Sequence, residues 1–96
     1  MPKDLTYQDF ESILGETIDL EVNDSCFQAK VDCVSLLRET PGQQRQPFSV
    51  ELLADIADNY PQQVYKLRHS DLGEQDLFLV PLGPEKGGML YQVIFN

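Results

Sequence analysis

"YKLRHSDLGEQDLFLVPLGP", residues 65–84, contains the single histidine of the chain, with Asp71, Glu74 and Asp76 close behind it and then an apolar run. Two readings compete. The histidine and the acids could converge on a ligand or metal, or the segment could be two strands and a turn. Periodicity separates them. Tyr65, Leu67 and His69 fall at alternate positions, so a strand would put all three on one face. Leu72-Gly73 has turn chemistry, because glycine takes up left-handed backbone without a steric cost. Leu77–Leu82 is apolar at both parities, which predicts a strand central in its sheet. Pro81 should fall at the end of that strand, since it offers no N–H to a ladder. The segment therefore reads as a hairpin, with His69 as a polar fastener at the rim of the buried face.

The same period of two continues outward. Ile18, Leu20 and Val22 alternate with Asp19 and Glu21, and Phe27, Ala29 and Val31 alternate with Gln28, Lys30 and Asp32. Asn23–Ser25 supplies a turn between them. The apolar parity slips at Val34 and Leu36, which predicts a bulge or strand end near Cys33–Ser35. Phe48, Val50, Leu52 and Ala54 alternate again. Strands are expected at about 16–22, 26–36, 47–54, 64–69, 75–82 and 89–95. Arg38–Pro47 is a polar loop, Ala54–Gln63 a connection that can hold a helical turn before Pro61, and "GPEKGG" (83–88) a hairpin tip. The chain shows no internal repeat.

Ahead of the strands lies a helix, expected over about 7–14. Thr6 can cap it, Asp9 can return the bond in a capping box, and Leu5 with Phe10 can form a hydrophobic staple. Phe10, Ile13 and Leu14 would share its buried face, and Gly15 stops it. The expected fold is mainly β: a six-stranded antiparallel sheet closed or folded into a small barrel or sandwich, with one short helix, in a single domain over 1–96.

The 96 residues carry a formal charge of −9, and residues 1–24 hold seven acids against Lys3. Nucleic-acid affinity comes from Lys and Arg replacing counterions on phosphates, so this field excludes nucleic acid as the expected partner and disfavours an anionic membrane. The N-terminal "MPKDLTYQDFE" lacks the apolar stretch of a signal peptide, and the longest uninterrupted aliphatic or aromatic run, Leu77–Val80, is far too short to span a bilayer. The expected address is cytoplasmic. Cys26 and Cys33 would face opposite sides of an unbulged strand, so they read as small buried or half-buried thiols rather than a disulfide.

The candidate chemistries are thin. Asp19-x-Glu21-x-Asn23-Asp24 resembles the start of a calcium loop, but Asp24 and Lys30 stand where that loop needs glycine and a bidentate acid. His69 with Asp71, Glu74 and Asp76 offers one imidazole where a transition-metal site ordinarily has more. A carboxylate bond that sets the tautomer of the ring is the expected arrangement. Ser35, Ser49 and Ser70 lack a nucleophile elbow, and no spacing joins Cys26 or Cys33 to His69. "GPEKGG" lacks the setting of a phosphate loop. A barrel interior could take a small apolar ligand, although a domain this small needs that space for packing. The loop Arg38–Pro47 brings Arg38 and Arg45 to an acidic domain, and loops on rigid scaffolds often bind. No catalytic, cofactor or metal residue is assigned, and no cofactor is expected. Arg38, Arg45, Tyr65, His69 and Asp71 are the candidate interaction or structural positions. The expected role is a non-enzymatic module for an unidentified protein partner. The alternative is a small-ligand or weak metal-binding β-domain centred on His69.

The pattern Tyr-x-Leu-x-His-x-x-Leu-Gly at 65–73, Leu-Phe-Leu-Val-Pro-x-Gly at 77–83 and Tyr-x-x-x-Phe-Asn at 91–96 adds a resemblance. With "LTYQDFESILGETIDL" and "PFSVEL", it is similar to the uncharacterised bacterial DUF6916-type small domain family over nearly the whole chain. The resemblance implies a small stand-alone protein with a structural or accessory role, in a phage-tail-like setting for some members. It makes Tyr65, Leu67, His69, Leu72 and Gly73 part of a family pattern and implies no catalytic residue.

Overall fold

Strands with one apolar face must turn those faces toward one another, and a closed barrel does so without leaving sheet edges. The computed structural model of the protein, which describes residues 5–22, 25–38, 41–42, 46–55 and 62–95, has this form. A helix, α1 (Tyr7–Glu11), precedes β1 (Thr17–Val22), β2 (Ser25–Leu36), β3 (Phe48–Ala54), β4 (Gln63–His69), β5 (Gly73–Glu85) and β6 (Gly88–Phe95). The order around the barrel is β1-β2-β3-β6-β5-β4, closing back onto β1 with every pair antiparallel. Of the two expected forms, barrel or sandwich, the chain adopts the closed barrel, mainly β with one short helix.

That order resolves into two meanders, β1–β2–β3 and β4–β5–β6, joined along β3–β6 and β1–β4. Each has a long middle strand, 12 residues in β2 and 13 in β5. Each middle strand bulges where it pairs with its second neighbour, between Val31 and Cys33 in β2 and between Pro81 and Gly83 in β5. The two halves thus match in topology although the chain carries no sequence repeat.

The bulges account for two departures from the expected pattern. Asp32 is the extra residue in β2, so the parity change comes just before the expected Cys33–Ser35. Beyond it, Val34 pairs with Val50 and packs against the core. The bulge also turns Cys33 outward, to the same side as Cys26. Cys26 is exposed rather than buried or half-buried, Cys33 is half-buried, and both are free thiols. In β5 the strand does not end at Pro81 but continues to Glu85. The β4 ladder stops at Gln63–Leu79, so Pro81 and Pro84 lie where β5 pairs with β6 alone and a missing N–H is tolerated.

The helix is shorter than its apolar spacing suggests. Its capping box is present: the Thr6 backbone N–H donates to Asp9 Oδ2 at 2.9 Å and the Asp9 N–H to Thr6 Oγ1 at 3.2 Å. After Glu11 the chain tightens into three-residue bonds, Ile13 N–H to Phe10 and Leu14 N–H to Glu11, before Gly15 turns at φ 89°. The tighter winding carries Leu14 off the Phe10 face and leaves it 53% exposed. Phe10 and Ile13 remain fully buried, and Phe10 packs on Phe48 and Phe95, whose own rings stack at 4.6 Å. Deeper in the barrel, Phe27, Tyr65 and Tyr91 meet in a triangle with centroids 5.8–6.4 Å apart. Side chains fill this interior, as expected of a barrel with few strands.

The expected tip at 83–88 is a two-residue hairpin. Lys86 (φ 53°) and Gly87 (φ 78°) both take positive φ, as a type I′ turn requires. Residues 23–24, most of the loop after Arg38, and the segment before Pro61 lie outside the described residues.

Candidate functional site

His69 ends β4, and Gly73 (φ 74°), paired opposite it, opens β5. The loop between them is Ser70–Leu72, with glycine in the left-handed position that a three-residue hairpin uses. Alternation puts Tyr65 and Leu67 inside and carries His69 to the rim, where its side chain is 7% exposed. The backbone N–H of Asp71 donates to His69 Nδ1 at 3.0 Å. A backbone amide can only donate, so Nδ1 holds a lone pair and the proton of the neutral ring is on Nε2. That Nε2–H donates to Glu16 Oε1 at 3.1 Å.

The carboxylate partner is therefore not one of the three acids following His69. Glu16 is 53 residues away in sequence, in the segment that leads into β1. Its own backbone is anchored on β2, where Val31 N–H donates to the Glu16 carbonyl at 2.9 Å. The contact lies along the β1–β4 seam, the shortest ladder in the barrel, with Asp19–Arg68, Leu20–Leu67 and Glu21–Lys66 as its pairs. On the outer face Arg68 adds ion pairs to Glu21 at 3.4 Å and to Glu74 at 3.0 Å. His69 and Arg68 fasten the strand pair that closes the barrel.

Beside them is an open cleft of about 260 Å³ lined by Asp19, Arg68, His69, Ser70, Gly73 and Glu74. Its charged groups already have partners in and around the cleft: Arg68 with Glu74 and Glu21, Asp19 with Gln28 at 3.0 Å, and His69 through both nitrogens. Both ring nitrogens are hydrogen-bonded within the protein, so proton transfer or metal ligation would have to displace one of those bonds. Among the described residues no group of three His, Cys, Asp or Glu side chains comes together to hold a metal ion.

The remaining candidates disperse. Tyr65 is fully buried in the core, so its place in the motif is structural rather than an interaction surface. Asp71 is exposed and enters through its backbone alone. Arg38 is exposed where the chain leaves β2, above a loop base closed by Leu37 N–H to the Pro47 carbonyl at 2.8 Å and by Gln46 Nε2 to the Leu37 carbonyl at 2.9 Å. Arg45 lies outside the described residues. Ser49 is buried, and Cys33 meets Ser35 at 3.5 Å, so neither approaches His69 through a hydrogen bond.

Sequence reasoning missed a surface. Phe78 is 50% exposed on the outer face of β5 and pairs across the ladder with Val64, 56% exposed. Val80 and Leu82 follow on the same face, and Leu82 is 45% exposed. Ile94, 52% exposed, lies on β6, where it pairs with Ser49 of β3. The signal was the run Leu77–Leu82, apolar at both parities.

A family model described as Domain of unknown function (DUF6916) matches residues 5–95. The chain belongs to this family. The matched span takes in α1 and all six strands, so the family pattern at 65–73 coincides with the β4 end, its turn and the His69 fastener. No curated protein and no solved structure matches the chain.

Proposed function

We propose that the domain is a non-enzymatic interaction or structural accessory module, cytoplasmic in location, that docks a protein partner through the outer face of β4–β6. One observation carries the reading. An antiparallel barrel strand ordinarily alternates apolar-in and polar-out, yet β5 places Phe78, Val80 and Leu82 outward, with Val64 of β4 directly beside Phe78. The fold of the single chain leaves Val64, Phe78 and Leu82 about half exposed, with Val80 partly covered between them, and exposed apolar surface of this kind marks interaction sites. The barrel interior is spent on packing and the His69 corner on closing the seam, which supports a binding surface over a reaction centre. The charge of −9 favours a partner with basic groups around an apolar contact.

The test is capture from an extract of the native host by the wild type and by a Val64→Thr/Phe78→Thr variant, whose fold is first checked by circular dichroism. A partner retained by the wild type and lost by the variant is the expected result. Equal retention by both proteins would place the contact elsewhere.

A further inference from the structure

His69 holds two different elements through its two nitrogens, and a proton acts on them in opposite senses. In the neutral ring, Nδ1 accepts the Asp71 N–H while Nε2–H reaches Glu16. Protonation places a hydrogen on Nδ1, which then faces the Asp71 N–H donor to donor. The Nε2 side gains, because an imidazolium is attracted to the Glu16 carboxylate more strongly than a neutral ring. Among the described residues, the other charged groups lining the cleft at the ring are Asp19 from β1, Arg68 from β4 and Glu74 from β5, and Asp71 follows in the turn. Arg68 is balanced by Glu21 and Glu74, so its charge is already neutralised.

The turn that Nδ1 holds is not idle surface. Leu72, one residue beyond Asp71, is 4% exposed and belongs to the core. We propose that His69 is a proton-operated latch on the Ser70–Leu72 turn. With a neutral ring the turn is held and Leu72 is seated. With a protonated ring the Asp71 amide is released and the turn opens, while the ring stays on Glu16 and the barrel remains closed. The latch is local: acid loosens one end of the β4–β5 hairpin without parting the β1–β4 seam.

NMR on the intact protein tests each part. The ¹³C and ¹⁵N shifts of the imidazole should report the Nε2–H tautomer in the neutral ring. As pH falls, hydrogen-exchange protection of the Asp71 amide, measured against its intrinsic rate at each pH, should drop by up to about tenfold. The drop should follow the titration of the His69 ring, and the Leu72 methyl shifts should move with it. A His69→Asn variant keeps the local bond, because an asparagine carbonyl accepts the N–H two residues on and does not titrate. Its Asp71 protection should stay level over the same range. An Nδ1–H tautomer, Asp71 protection that ignores the ring titration, or the same step in His69→Asn would each overturn the latch. The tautomer and wild-type titration stand even where the variant fails to fold.

Discussion

Replacing Gly88 by alanine tests how closely β6 is seated against β3. A methyl built on Gly88 would lie 2.3 Å from the Ala54 carbonyl oxygen and 3.1 Å from Leu53 Cδ1. Carbon–oxygen contacts settle near about 3.3–3.6 Å, so methyl and oxygen must part by about 1 Å. Both atoms are fixed to backbone, so no side chain can yield and the strands themselves have to move. The pairs at risk are Ala54–Met89 and Glu85–Gly88, at the ends of their ladders. Overpacking of this kind costs about 1–3 kcal/mol, and a lost ladder bond adds about 1 kcal/mol. The smaller entropy of the unfolded alanine chain offsets about 0.4–1 kcal/mol. The steric terms win, leaving a net loss of about 2–3 kcal/mol, a fall in Tm of roughly 10–20 °C for a domain of this size. Thermal unfolding followed by circular dichroism measures it. Gly73→Ala is the comparison: nothing lies within 4 Å of its added methyl, but its φ of 74° strains any side chain, so it should cost only about 1 kcal/mol. A Gly88→Ala protein as stable as the wild type, or more stable than Gly73→Ala, would refute the close approach.

Phe10→Ala should destabilise the protein by about 3–5 kcal/mol in urea denaturation, since the ring is fully buried against Phe48 and Phe95. Leu14→Gln, four residues on, should change stability by less than about 0.5 kcal/mol because its side chain is already in water. A reversed order of these two would mean that the helix docks on its other face. The Asp32 carboxylate, chiefly through its hydrogen bond, holds the Lys86 ammonium above its ordinary pKa. A cationic group whose pKa is raised by folding contributes stability in full below its unfolded pKa and loses it as pH rises through the folded value. Lys86→Met should therefore be less stable than the wild type at about pH 8, with the gap closing above the lysine range near about pH 10.4; a gap unchanged in alkali would show that packing rather than charge is involved. Deleting Asp32 removes the β2 bulge but leaves Val31, Cys33 and Val34 in plain alternation opposite Leu52, Glu51 and Val50, so the core facing is kept and only the extra bend of the strand is lost. A cooperative transition at somewhat lower stability is expected, and loss of cooperative unfolding would show that the barrel cannot close without the bend that the bulge supplies.

Much of the barrel is legible in local pattern. Ile18-Leu20-Val22, Phe27-Ala29-Val31 and Phe48-Val50-Leu52-Ala54 face the core because a pleated strand sends alternate side chains the same way. The Thr6–Asp9 capping box and the left-handed Gly15 are equally local, each decided by atoms within three or four residues. The hairpin at 65–84 also followed from period and turn chemistry, and so did the position of His69 on its rim. What local pattern does not contain is the neighbour. Whether an outward-facing Phe78 is covered depends on which strands and segments lie beside β5, and the run Leu77–Leu82 reads the same either way. Pro81 within a strand became acceptable only because β4 runs out before it, a consequence of how far the barrel is staggered. The partner of His69 lay 53 residues upstream, at a distance no spacing rule reaches, because closing the barrel is what brings Glu16 to the end of β4. The sequence by itself determined which residues face inward and where the chain turns, since those depend on near neighbours along the chain. The tertiary structure alone decided the closure, the Glu16–His69 fastener and the exposed stripe on β5, because each depends on segments that only the closed barrel sets side by side.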